Sequence, residues 1–275
     1  MSLTPERTSQ ILVVGRNSFI ANALFDTDRS LPWRSINHSD PIDDSTLEGI
    51  DTIINFALNP DLRRGEYDSE KDLDFQIAMK IRDRDIRYIL VSSRKVYDAE
   101  HQWNVKEGDN LEPDSPYGMN KAITEKKLTA ILHERLSILR VANIIGYEVP
   151  RSRGSFMAMM LGGLKEEETI TLDVNPSVRR DFVSAPKAGE ALARFLNNPQ
   201  PGIFNFGSGH AVAMGDIAHA LIEGFGRGKI HVINDRIHDE FVLNTEKFSG
   251  TYGEVETPES LLTYCKELGK RHATQ

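Results

Sequence analysis

The sequence predicts an α/β fold, a parallel sheet covered by helices, and three observations carry that prediction. Short apolar runs rich in β-branched residues alternate with segments of helical spacing through the first half of the chain. The first run, "QILVVG", ends in glycine and passes directly into a helical segment, the opening of a βαβ unit. The chain has 275 residues, enough to bury a substantial core, and its one cysteine, Cys265, allows no intrachain disulfide.

The elements follow in order. After the strand "QILVVG" and the helix "NSFIANALF" come "WRSINH" as second strand, "DTIINFA" as third, "FQIAMKIRDRD" as helix and "IRYILVSS" as fourth strand. Ser115 is a good N-cap and Pro116 suits the first helical position, so a helix is expected through "YGMNKAITEKKLTAIL". "LSILRVANIIG" reads as one buried strand. Beyond Gly146 the pattern loosens: "YEVPRSRGSFMAMMLGGL" mixes loop and helix, "RRDFVS" is a short strand, "APKAGEALARFL" a helix and "GIFNFGSG" a strand and turn. This shift predicts one domain over residues 8–146 and a second lobe over 147–275, with segments near 180–207 returning to the first. Cys265, in "SLLTYCKEL", is expected to be a half-buried helix residue rather than a nucleophile.

Charge and composition exclude some functions. A net charge of −8 and a pI near 5.5 argue against nucleic-acid binding, which calls for a basic face. No apolar run is long enough to span a bilayer, and the opening "MSLTPERTSQ" lacks the apolar core of a signal peptide. A soluble, cytoplasmic protein without a metal site is the expectation.

Two stretches carry chemistry. In "VVGRNSFIANAL", Gly15, Ser18 and Ala21 occupy the places of a dinucleotide-binding Gly-x-x-Gly-x-x-Gly turn, which seats a pyrophosphate on a helix N-terminus. Gly15, Arg16, Ser18, Phe19 and Ile20 are the expected contacts there, with Phe56 and Ala57 at the end of the third strand. An NAD site normally has an acidic residue ending the second strand, where this chain has Asn37. Arg16, with Arg34, could instead meet a 2′-phosphate, which favours NADP over NAD, and Asp40 is a candidate for the adenine amino group. The second stretch is "SPYGMNK", which sets Tyr117 and Lys121 on one helix face. A phenol ionises near pH ~10 and is a poor acid or base at neutrality. An ammonium roughly 4 Å away, worth about 4 kcal/mol at an effective dielectric of about 20, would bring it within reach of proton transfer.

The Gly15 loop, "VSSRKVYD" and "SPYGMNK" stand in an order that resembles the extended short-chain dehydrogenase/reductase family of NAD(P)-dependent nucleotide-sugar epimerases, dehydratases and ketoreductases. The resemblance continues in "LRVANIIG", "RRDFV", "FNFGSG" and "LNTEK". It implies a Rossmann-type doubly wound parallel sheet with a small C-terminal substrate-binding lobe. Within it Tyr117 matches the catalytic tyrosine, and Lys121 the lysine that binds the nicotinamide ribose and eases the tyrosine's proton loss. Ser93 matches the serine or threonine that hydrogen-bonds the reacting oxygen. Asn143 and Arg180 match positions used toward substrate, the arginine toward its diphosphate.

Three departures stand beside these matches: two loop glycines are lost, "SAPKAGE" follows "RRDFV" where a histidine or tyrosine and an acidic pair are usual, and "SEKDLDF" replaces an asparagine-rich helix start. The reading is a ketoreductase acting on a nucleotide-sugar-like substrate. The alternatives are an epimerase holding NAD tightly, or a cofactor-sensing or scaffold protein without turnover. A homodimer is expected through "DFQIAMKIRDRD" and "YGMNKAITEKKLTAILHE", with Phe75, Met79, Ile123, Leu128 and Leu132 as the apolar surplus.

Overall fold

The first apolar run forms β1 (Gln10–Val14), and its alternation shows how the sheet is covered. Ile11 and Val13 are buried in the cluster on one face, Leu12 and Val14 in the cluster on the other. Successive side chains of a strand point to opposite faces, so a strand with both sets buried lies in a sheet layered on each side. The computed structural model describes residues 10–27, 31–100, 102–147 and 155–274.

From β1 the chain runs through α1 (Phe19–Thr27), β2 (Trp33–Ile36), α2 (Asp44–Leu47), β3 (Ile50–Asn55), α3 (Leu73–Ile81), β4 (Arg87–Ser93), β5 (Trp103–Val105) and α4 (Pro116–Leu132). Next come β6 (Leu136–Val141), β7 (Asn143–Ile145), α5 (Phe156–Glu167), β8 (Thr169–Leu172), β9 (Arg179–Ser184), α6 (Ala185–Asn197) and β10 (Gly202–Phe206). The last part holds β11 (Ala211–Ala213), α7 (Met214–Phe225), β12 (Lys229–Val232), β13 (Val242–Leu243), α8 (Glu246–Tyr252) and α9 (Pro258–Ala273).

Six strands lie in the order β10-β6-β4-β3-β1-β2, every neighbouring pair parallel. α1 and α6 pack on one face, α3 and α4 on the other. This is the Rossmann-type sheet expected, with the strand order reversing direction between β1 and β3, so a crevice forms at their carboxyl ends. A second core joins α5, α7, α9 and β8 through Met157, Leu164, Ile170, Leu221 and Leu268, with Ile230 of β12 packed against it. β7, β9 and β11 form a small sheet of their own.

Several local expectations hold, and others are corrected by packing. Ser115 Oγ accepts from Gly118 N at 3.2 Å, capping α4 where Pro116 begins it. "LSILRVANIIG" is two strands, because β4 ends at Ser93 and β10 at Phe206, both opposite Val141. Past that point no partner continues the large sheet, and Asn143–Ile145 pairs with β9 instead. The helix expected over "FQIAMKIRDRD" stops at Ile81, where the Arg135 guanidinium takes the carbonyls of Ile81, Arg82 and Arg84. Cys265 is fully buried, and burial pushes its thiol up to about 12, which makes it inert. Of the apolar surplus on α3 and α4, Leu128 and Leu132 belong to the core. Met79 and Ile123 stay exposed, as does Met119, while Phe75 is half-buried beneath the Lys127 ammonium at 4.5 Å.

Candidate functional site

Strand alternation separates the two serines that close β4. Ser92 Oγ donates to Glu125, which is paired in the interior with Arg140 at 2.7 Å, so Ser92 serves the core. Ser93 Oγ accepts from Lys95 N at 3.2 Å and caps the short turn Arg94–Val96. The first turn of α4 lies directly on that turn. A Cβ at Gly118 would fall 2.1 Å from the Lys95 carbonyl oxygen and 2.8 Å from Pro113 Cβ. Only glycine permits this approach, and it sets Tyr117, half-buried, beside the end of β4.

One helical turn further, Lys121 is buried, and its Nζ donates to Val91 O at 2.9 Å and to Asp74 Oδ2 at 3.4 Å. Burial by itself would lower the proton affinity of this ammonium. Asp74, Tyr117 and Asp72 together outweigh burial and hold its pKa above the ordinary lysine range. Asp74 is also the acceptor for Asn55 Nδ2 at 2.8 Å and Tyr88 Oη at 2.7 Å. Asp72, the N-cap of α3, accepts from Thr124 Oγ1 at 2.6 Å and Tyr67 Oη at 2.8 Å. Sequence reasoning missed these two carboxylates as site residues. "SEKDLDF" was legible as a departure, but nothing in it showed that Asp74 reaches Lys121.

The expected cofactor residues gather at the ends of β1, β2 and β3. Gly15 has φ +85, and a Cβ there would come within 2.9 Å of Ala57 N and 3.2 Å of the Phe56 carbonyl carbon. Gly15 N and Arg16 N donate to Ile36 O, Phe56 N to Val14 O, and Ser18 N to Gly15 O, closing the turn just before α1. Phe19 packs on Gly146, and Ile20 lies against the core. Asn37 Oδ1 accepts from Arg16 Nε at 3.3 Å and from Asn17 Nδ2 at 3.1 Å, so a cation does stand at the end of β2. Asp40 Oδ2 is taken by Asn37 N at 2.8 Å, so one oxygen of the expected adenine contact already closes a turn. Arg34 is a correction. Its guanidinium binds Thr46 O at 3.1 Å and Gln10 Oε1 at 3.4 Å, tying β2 to the end of α2 rather than joining the loop.

On the remaining side, Asn143 lies half-buried in β7 opposite Phe182. Arg180 is not a free cation: its Nε donates to Asp239 O at 3.0 Å, and its Nη2 lies 3.6 Å from Asp239 Oδ2. The same carboxylate receives Arg94 Nη2 at 2.8 and 2.9 Å and Lys95 Nζ at 2.7 Å. Burial alone would raise the Asp239 carboxyl, but Arg94 and Lys95 outweigh it and hold the group below the ordinary range. Arg94 also stacks 3.7 Å above the Phe241 ring. Lys95 and Arg94 stand in "VSSRKVYD", yet no sequence signal pointed to Asp239.

The profile of the NAD dependent epimerase/dehydratase family matches residues 6–207, a span that contains Gly15, Ser93, Tyr117, Lys121, Asn143 and Arg180. The chain belongs to that family. It is similar to the ADP-L-glycero-D-manno-heptose-6-epimerase of Alkalilimnicola ehrlichii, 26% identical over an alignment 183 residues long that covers 62% of this chain and 57% of that relative. The chain thus spans little more than half the length of this curated relative. The UDP-N-acetylglucosamine 4-epimerase of Methanobrevibacter ruminantium M1, in complex with UDP-N-acetylmuramic acid, superposes with a TM-score of 0.81 at 14% identity, covering 97% of this chain and 99% of that one. RMD from Pseudomonas aeruginosa, complexed with NADPH, superposes with a TM-score of 0.78 at 17% identity over 97% and 99% of the two chains. At these identities the two structures show the shared fold alone. Among the described residues no helix is long and apolar enough to cross a membrane.

Proposed function

We propose that this member of the epimerase/dehydratase family is a ketoreductase, moving a hydride between NADP or NAD and a carbonyl of a nucleotide-sugar-like substrate. The observation that carries the reading is Gly118 seated on the Lys95 carbonyl, which brings the Tyr117 helix onto the turn capped by Ser93, with the charged Lys121 one turn deeper.

The residues around Gly15 fit a dinucleotide. The loop backbone is free of side-chain bulk where it meets Ala57, and it sits at the reversal of strand order. A bound nicotinamide nucleotide supplies the hydride. The chain's own residues do the rest: Tyr117 gives its phenolic proton to the carbonyl oxygen, Ser93 Oγ donates a hydrogen bond to that oxygen, and Lys121 holds a positive charge beside the phenol and positions the ribose. Arg16 beside Asn37, the residue that follows β2, supports NADP. Arg180 and Asn143 are assigned to the substrate, with α5, α7, α9, β8 and β12 as the core of the substrate lobe and α6 and β10 returning to the large sheet. Exposed Met79, Met119 and Ile123 on α3 and α4 support pairing of two copies.

The epimerase alternative is favoured by the likeness to the heptose epimerase. Denaturing the purified protein and identifying the nucleotide released separates the two. A reductase is expected to release little nucleotide and to oxidise added NADPH with a nucleotide-linked keto sugar. Stoichiometric NAD in the released fraction, with no NADPH oxidation, would overturn the ketoreductase in favour of the epimerase.

A further inference from the structure

Asp74 is a buried ionisable group that the proposed chemistry does not use, and it is held with unusual care. It stands in the first turn of α3, where the helix N-terminus favours a negative charge. Its Oδ1 accepts from Asn55 Nδ2 and Tyr88 Oη, and its Oδ2 faces Lys121 Nζ. Asn55 in turn grips the Ala57 backbone through both ends of its amide, at 2.8 and 3.1 Å. Ala57 is the residue on which Gly15 rests. One carboxylate therefore links the catalytic-helix lysine to the wall behind the nucleotide loop.

The donors of Lys121 can be counted. An ammonium has three N–H groups. Val91 O takes one and Asp74 Oδ2 a second, which leaves a third for a ribose hydroxyl. A buried ion pair adds little to stability against an apolar replacement, so its presence here needs another reason. The groups that face Lys121 are Asp74 and Asp72 from α3, with Tyr117 on its own helix, while Tyr88 from β4 reaches it through Asp74. Asp72 is occupied by Thr124 and Tyr67. Asp74 alone of these touches the ammonium.

We propose that Asp74 is the positioning residue for Lys121, the counter-charge that fixes where the ammonium stands and keeps it cationic beside Tyr117. This rests on the hydride-transfer reading, since Lys121 acts there on the ribose and the phenol. Burial pushes the Asp74 carboxyl up, and Lys121 pulls it down without fully offsetting that push. The pair is sensitive to the loss of either member.

The test reads Lys121 directly and needs no substrate. In protein carrying lysine labelled at Cε with the NMR-active carbon isotope, the Lys121 resonance is assigned by its loss in Lys121→Arg. It is expected to titrate above the ordinary lysine value in the native protein and at least about one pH unit lower, a tenfold loss of proton affinity, in Asp74→Asn. Asp74→Glu, which keeps the charge, is expected to restore most of the difference. The pH at which NADPH affinity falls, followed by nicotinamide fluorescence, should move with the resonance. Should Asp74→Asn not fold, Asp74→Ser removes the same charge in a smaller side chain and is expected to lower the titration likewise. An unmoved Lys121 titration in the folded variant would overturn the proposal. Absence of NADPH and NADH binding by the native protein would overturn the cofactor reading instead, with the lysine titration still reporting on the pair.

Discussion

Two charge clusters flank the end of β4, and they are built on opposite balances. Behind Tyr117, two carboxylates, Asp74 and Asp72, face one ammonium, Lys121, and all three are buried. On the β9 side, three cations, Arg94, Lys95 and Arg180, surround one carboxylate, Asp239, with about a third of the Lys95 and Asp239 side chains exposed. The first cluster locks a charge in place. The second leaves surplus positive charge around Asp239 at a partly exposed edge.

The sign of each shift makes the clusters fail at opposite ends of the pH scale. Lys121 has a folded pKa above its unfolded value, so its contribution to stability is complete below about pH 10.4 and is lost as pH rises through the folded value. Asp239 has a folded pKa below its unfolded value, so its contribution is complete above about pH 3.9 and is lost as pH falls through the folded value.

The largest effect is expected from Lys121→Met, which strips Asp74 of its cation. Urea unfolding should show a loss of about 3–5 kcal/mol, the scale for a buried charge left unpaired. The part of the alkaline loss of stability expected from Lys121 should disappear with it. A loss under about 1 kcal/mol would mean that the pair does not hold as a buried charge.

Tyr117→Phe comes next and leaves both clusters intact. Folding and NADPH affinity are expected to survive while turnover drops by at least about a hundredfold, as for a lost general acid. Near-native kcat on any keto-sugar substrate would remove Tyr117 from the mechanism.

Asp239→Asn sharpens the contrast from the other side. It should remove Asp239's share of the acid-side loss of stability below about pH 3.9, measured by unfolding across pH. It should also raise affinity for inorganic pyrophosphate several-fold by calorimetry, because the cations lose their internal anion. Unchanged pyrophosphate binding would mark the cluster as a structural clasp.

Lys95→Ala is the smallest step. Its partly exposed pair with Asp239 is of the kind worth about 0–1 kcal/mol, so the Tm should barely move. A rise in KM for an anionic substrate, shrinking at high salt, is the expected kinetic trace.

The sequence by itself determined what depends on near neighbours. Apolar runs rich in β-branched residues and helical spacing placed β1, α1, β3, β4 and α6, and the Ser115–Pro116 start of α4 is a matter of capping within one turn. The turn at Gly15 and the shared helix of Tyr117 and Lys121 were legible for the same reason, while the roles given to Ser93, Tyr117 and Lys121 came from the family resemblance. Tertiary structure decided the rest. It cut "LSILRVANIIG" in two where neighbouring strands ran out, turned Arg34 toward α2, and drew Leu128 and Leu132 into the core. It also joined Asp74 to Lys121 across 47 positions and Asp239 to Arg94 across 145. Such pairs depend on which elements share a layer and at what depth, and the energy of a charge is set by that burial and by the partner it meets there, neither of which a local pattern encodes.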